Sequence, residues 1–170
     1  DKMLDSRFST KAQPRIGQSY SHHGQILNRT IIWSKQGFAL LPDSRHIVNV
    51  SNLLKLQGVK PSPTPGSKAT GKGSRTALED LTREESQTYR SCCGILQYLA
   101  MDRLDIQYMV KVLAKDSSCP KEVSMARLRR LARYLCGTAH YGMEFKYQDT
   151  PKHITVIVDG DWSGDSVSCK

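Results

Sequence analysis

Hydrophobic spacing changes character several times along the chain. Residues 1–24 are polar and weakly patterned, and they predict no element. "QILNRTIIWSKQGFALLP" (25–42) then brings a β-branched and aromatic run, Ile26 to Trp33. The turn residues Ser34-Lys35-Gln36-Gly37 follow, and after them a second short run, Phe38 to Leu41. Two such runs across a Gly-containing turn predict a β-hairpin. Pro42 and Asp43 open a helix with Asp43 as N-cap. Ile47, Val50 and Leu54 share one face of it, and Gly58 stands where a C-cap glycine belongs.

"VKPSPTPGSKATGKGSR" (59–75) excludes regular structure. Its alternating prolines favour extended backbone, and the Gly/Ser/Lys tract behind them is that of a flexible joint. Helical spacing resumes at Thr82, where Thr82 and Glu85 form a capping box. Tyr89, Cys92 or Cys93, Leu96, and Leu99 or Ala100 continue that stripe. Asp102 and Asp105 mark a second helix start, with Ile106, Met109, Val110 and Leu113 on its face. Pro120 in a first turn starts a third helix carrying Val123, Leu128, Leu131 and Leu135 before Gly137. Short connections imply antiparallel packing. "MEFKYQ" and "ITVIVD", separated by Asp149-Thr150-Pro151, read as a terminal strand pair.

The expected fold class is therefore α+β. A hairpin and helix (1–58) precede a linker (59–80), a three-helix block (81–140) and a terminal β-hairpin that begins an incomplete sheet (141–170). A strand pair without the rest of its sheet is poorly stabilised.

Composition adds partners to this picture. At 38% hydrophobic and 24% charged, the 170 residues suit a globular rather than a disordered chain. No apolar run reaches membrane-spanning length, and the N-terminus lacks a signal-peptide core. The formal charge of +9 points to a polyanion, nucleic acid before acidic membrane. The five cysteines, Cys92, Cys93, Cys119, Cys136 and Cys169, form no CxxC pair and read as reduced thiols of an intracellular protein, cytoplasmic or nuclear. His22-His23 has no nearby partners that would make a zinc site.

The third helix, "KEVSMARLRRLARYL", sets Arg127, Arg129, Arg130 and Arg133 outside its apolar stripe. Arg129 and Arg133 stand one turn apart, as do Arg127 and Arg130. A guanidinium fork meets two phosphate oxygens at once, which suits this cluster to a nucleic-acid backbone; the alternative is a solvated face that keeps the domain soluble. Tyr89, Tyr98, Tyr108 and Tyr134 could stack on bases, but their phase near the apolar stripe favours core packing. Lys68, Lys72 and Arg75 in the joint could touch a backbone electrostatically.

The chain's last stretch, "ITVIVDGDWSGDSVSCK", puts Asp159 at a strand end, with Asp161 and Asp165 close behind. A two-metal phosphodiester-cleaving site holds dications about 4 Å apart and needs several carboxylates. One aspartate does not make such a site, and an acidic loop after a strand also serves as a solvated turn.

"YRSCCGILQYLAMDRLDIQYMVKVLAKDSSCPKEVSMARLRRLARYLCGTAHYG" (89–142) followed by "VDGDWSGD" (158–165) resembles the pol polyprotein of copia-type LTR retrotransposons. The carrying features are the Tyr-Arg-Ser start, the Arg-x-Asp-Ile step, the helix ending in RYLxGT, the Tyr-Gly step and the Asp-rich close. Leu104 stands where that family usually has proline. The resemblance extends back through "ILNRTIIWSKQGFALLPDSRH" to "PTPG".

It implies a stretch between two active sites of a reverse transcriptase/ribonuclease H polyprotein, with neither site complete. The hairpin would correspond to the one that grips the primer, placing Leu27, Asn28 and Arg29 near the primer terminus. The helices would correspond to the thumb and connection that cradle the template–primer duplex. Asp159 matches the first ribonuclease H carboxylate, a ligand of the Mg²⁺ implied for the full-length family. No Tyr-x-Asp-Asp occurs in the chain. The expectation is a catalytically inactive piece that binds RNA–DNA hybrid or DNA duplex without sequence preference and works with the rest of the polyprotein, away from membranes. A stand-alone basic helical module without catalysis is the alternative. An independent nuclease built on Asp159, Asp161 and Asp165 is a third possibility, with no cleavage expected.

Overall fold

The computed structural model describes residues 7–9, 13–66 and 79–158. It is an α+β molecule in which a four-stranded antiparallel sheet accompanies four α-helices among the described residues. The strands are β1 (His23–Ile26), β2 (Arg29–Ser34), β3 (Gly37–Leu41) and β4 (Met143–Lys146), paired in that order. The helices are α1 (Arg45–Leu53), α2 (Arg83–Leu99), α3 (Gln107–Lys115) and α4 (Glu122–Gly137).

The expected hairpin forms as β2 and β3, with Trp33 opposite Phe38 and Ser34 opposite Gly37. The run from Ile26 to Trp33, however, is not one strand. It breaks at Leu27-Asn28, whose φ angles of 50° and 65° lie in the left-handed region. Two consecutive residues there make the tight turn that joins β1 to β2, with Ile26 opposite Arg29. Residues 23–26, which carried no expectation before Ile26, thus supply a strand.

Among the described residues the expected terminal β-hairpin does not form. Met143–Lys146 pairs with β3 instead, with Phe145 opposite Phe38 and Lys146 opposite Gly37. Two side-chain contacts fix that choice: Trp33 Nε1 donates to Tyr147 Oη at 2.8 Å, and the Phe38 and Tyr147 rings meet edge to face at 5.8 Å. The strand expected to pair with "ITVIVD" instead forms the edge of the main sheet, and residues 154–158 are not in a strand. Ile154 and Ile157 are each 91% exposed.

The helices follow the apolar spacing closely. In α1, Ile47 and Val50 are buried; Asp43 Oδ1 accepts from the Arg45 amide at 3.0 Å although the cap position is Ser44. Its C-cap is Leu54, so Gly58, with a φ of 73°, serves a later turn. The α2 capping box is complete: Thr82 Oγ1 accepts from the Glu85 amide, and the Glu85 carboxylate accepts from the Thr82 amide. Asp102 and Asp105 do not cap the next helix; a short 3-10 turn, Leu104–Ile106, leads into α3 without a side-chain cap. Both aspartates instead meet arginines.

The core is made by helices. Ile47 and Val50 of α1, Tyr89, Cys92, Cys93, Leu96 and Leu99 of α2, Val110 and Leu113 of α3, and Leu128, Leu131 and Leu135 of α4 form one buried cluster with their neighbours. The sheet adds no side chain to it. Residues 59–66 have no regular structure, as their prolines dictate, yet they do not hang free: the Ser62 amide donates to Arg133 O at 3.4 Å, and Pro61 lies against Gly137.

Candidate nucleic-acid interface

The residues assigned to nucleic acid fall into two places. Leu27, Asn28 and Arg29 occupy the β1–β2 turn and the start of β2. Leu27 and Asn28 are exposed, whereas Arg29 turns inward and donates Nε to Asp102 Oδ2 at 2.6 Å. That ion pair ties the sheet to the connection after α2, and it occupies the guanidinium expected beside a primer end.

The second place is the outer side of α4. Arg129 is exposed, and its positive charge is a minor contributor, after two hydrogen bonds from Thr82, to holding the Glu85 carboxyl below its ordinary range. Arg127 pairs with Asp116 at 3.6 Å. Arg130 Nη2 donates to Thr64 Oγ1 at 2.8 Å, and Arg133 Nε donates to Lys60 O at 2.8 Å. Three of the four arginines therefore have partners within the chain, and two of them hold the proline-rich segment as a strap across α4. All four still share one helix within two turns. Asp159, Asp161, Asp165, Lys68, Lys72 and Arg75 lie outside the described residues. Among the described residues, no three His, Cys, Asp or Glu side chains are placed to hold a metal ion, and no helix is long and apolar enough to cross a membrane.

Of the four tyrosines weighed as stacking platforms, Tyr89 and Tyr134 are core residues, as expected. Tyr98 and Tyr108 are not: they are 58% and 74% exposed. Tyr98 sits on the outer side of α2, where the His46 ring of α1 approaches it at 5.9 Å. Burial drives the Tyr89 hydroxyl pKa far up, and that hydroxyl donates to Leu113 O at 2.8 Å. Cys92 and Cys93 are buried free thiols; burial raises both, Cys92 to about 11, which keeps them protonated and unreactive.

The densest polar cluster was not foreseen as a unit. Arg103, 1% exposed, donates Nε and Nη2 to the two carboxylate oxygens of Asp105 at 2.8 and 2.7 Å. Nη1 reaches Thr138 O at 2.8 Å, and Nη2 also reaches Thr138 Oγ1 at 2.9 Å. Tyr134 Oη donates to Asp105 Oδ2 at 2.8 Å, and the Tyr134 and Tyr141 rings flank the guanidinium at 6.0 and 5.5 Å. Hydrogen bonding from Arg103 holds the Asp105 carboxyl below its ordinary value, against the opposing effect of burial. The signal was present in the sequence: these are the Arg-x-Asp, RYLxGT and Tyr-Gly residues of the resemblance. They fasten the end of α4 to the start of the α2–α3 connection.

Comparison with known proteins agrees with that motif set. The chain belongs with the Pol polyproteins of copia-type retrotransposons. It is similar to the Retrovirus-related Pol polyprotein from transposon RE1 of Arabidopsis thaliana, 35% identical over 127 residues, which is 74% of this chain and 8% of that protein. The corresponding RE2 polyprotein of the same plant is 37% identical over 93 residues, 55% of this chain and 6% of that protein. The Uncharacterized mitochondrial protein AtMg00810, also from Arabidopsis thaliana, is 32% identical over 76 residues, 45% of this chain and 31% of that protein. The chain thus spans less than a tenth of the two polyproteins. No protein-family model matches it, and no solved structure does.

Proposed function

We propose that this chain is a template–primer-gripping portion of a copia-type reverse transcriptase/ribonuclease H polyprotein, contributing contact to a duplex rather than bond making or breaking. The observation that carries the reading is the arginine side of α4 in a chain of net charge +9 that aligns with two retrotransposon polyproteins. Arg127, Arg129, Arg130 and Arg133 would neutralise phosphates, and the Leu27–Arg29 turn would approach a primer end. In the full polyprotein Asp159 would join other carboxylates on Mg²⁺, and the remaining Pol segments would be the chain's partners.

The test is binding of the 170-residue chain to an RNA–DNA hybrid across a salt series. If about four to six phosphates are neutralised, log Kd against log salt should have a slope magnitude of roughly 4 to 5. Replacing Arg127, Arg129, Arg130 and Arg133 by Ala should weaken binding equally for unrelated sequences. A flat salt response removes the proposal.

A second reading is favoured by the intramolecular partners of Arg127, Arg130 and Arg133. Here the helix face serves the fold. It is the better reading if the same substitutions lower the unfolding midpoint while hybrid affinity stays unchanged.

A further inference from the structure

The strap over α4 leaves one arginine donor beneath it unused. Arg130 reaches the strap with Nη2, and Nε lies on the same edge of its guanidinium. Elsewhere in the chain that edge is used in full: Arg103 places Nε and Nη2 on the two oxygens of Asp105, and Arg45 does the same with Asp43. At Arg130 only Nη2 is satisfied, by Thr64 Oγ1 at 2.8 Å. Among the described residues, Arg130 Nε is the buried side-chain nitrogen or oxygen that has no hydrogen-bond partner. A buried donor without an acceptor is costly, and a second oxygen next to Thr64 Oγ1 would relieve it.

We propose that Thr64 is a phosphorylation site and that its phosphate completes the Arg130 fork, clamping residues 60–66 onto α4. The transfer is ordinary in its balance. The γ-phosphoryl of a nucleoside triphosphate moves to Thr64 Oγ1, the bond to the β-phosphate oxygen breaks, and a nucleoside diphosphate leaves. The hydroxyl proton goes to a base of the transferring enzyme. Thr64 now donates that proton to Gly66 O at 2.8 Å. The exchange replaces one neutral bond with charge-assisted bonds from a fixed guanidinium, which are about twice as strong.

Local chemistry selects this residue. Thr64 is exposed, lies outside regular structure and precedes Pro65, which suits a transferase whose neighbouring pocket accepts proline and offers no acceptor for an N–H. Ser62 also precedes a proline but is 7% exposed. Thr150 precedes Pro151 and is exposed, yet no guanidinium meets its hydroxyl among the described residues.

The experiment uses the 170-residue chain carrying Thr150→Ala, treated with a proline-directed Ser/Thr kinase and ATP. Peptide mass mapping should place the phosphate on Thr64, with Ser62→Ala making no difference. In a phosphorus NMR titration the folded chain's phosphothreonine should ionise ~0.5 unit or more below the phosphorylated 60–66 peptide, because the cation favours the dianion. Arg130→Gln should abolish that difference. Arg130→Lys, which keeps the charge without the fork, should retain part of it while losing the ~5-fold slowing of strap amide exchange that phosphorylation gives the parent chain. Failure of the folded chain to accept phosphate at Thr64, or a phosphothreonine that titrates like the peptide, overturns the proposal. So does an Arg130→Gln chain that loses hybrid binding while the phosphothreonine shift persists, since the fork then serves a nucleic-acid phosphate.

Discussion

At the scale of single residues, Arg103 shows what the Arg-x-Asp, RYLxGT and Tyr-Gly residues accomplish together in this chain. Its guanidinium is 1% exposed, and an isolated cation there would be expensive. Asp105, Thr138, Tyr134 and Tyr141 surround it with two carboxylate oxygens, a carbonyl, a hydroxyl and two aromatic rings. Arg103→Met should leave Thr138 O and Asp105 without their donor and cost about 2 kcal/mol in urea unfolding. Tyr134→Phe, which removes one bond to Asp105, should cost about 1 kcal/mol. The pH dependence has a definite sign. The Asp105 carboxyl lies below its ordinary value of 3.8, so its contribution is complete above that value and is lost as acid titrates the folded state below it. Asp105→Asn should therefore be less stable at neutral pH than the parent, and should lose less on acidification through that window.

Among whole elements, legibility depended on how local the decisive contact is. The capping box, the apolar stripes of α2, α3 and α4 and the Ser34–Gly37 turn are all set by residues within a few positions, and each was readable. The β1–β2 turn was not, because Leu27 is a poor residue for a left-handed position and hid the break inside an apolar run. The β3–β4 pairing was not readable either, since it joins residues more than a hundred positions apart through Trp33, Phe38 and Tyr147. Nor could spacing show that the arginine side of α4 is partly spent on the strap, because Lys60 and Thr64 approach it from across the fold. Gly37 tests the long-range pairing directly. Its φ is 152°, and a Cβ there would collide with the Phe145 carbonyl. Gly37→Ala should cost about 2 kcal/mol and release β4. The expected signature is loss of amide protection at Phe145 and Tyr147 with unchanged protection in α2 and α4.

Over the whole molecule, the division between sheet and core predicts two levels of stability. Every buried side chain of the hydrophobic cluster comes from the helices or their connections, while the strands are mostly half-buried or exposed. Elements with little buried apolar area open at lower free energy than the unit that holds the core. Among the described residues, the side-chain polar link from the strands to the helical part is the 2.6 Å ion pair between Arg29 and Asp102, both largely enclosed. Native-state hydrogen exchange should accordingly show β2 and β3 amides opening ~1–3 kcal/mol below those of α2 and α4. Arg29→Met leaves the Asp102 carboxylate, 7% exposed, without its cation and should widen that gap by about 2 kcal/mol. If all amides instead exchange through one global opening before and after the substitution, sheet and helices form a single cooperative unit, and the ion pair does not act as a hinge pin between them.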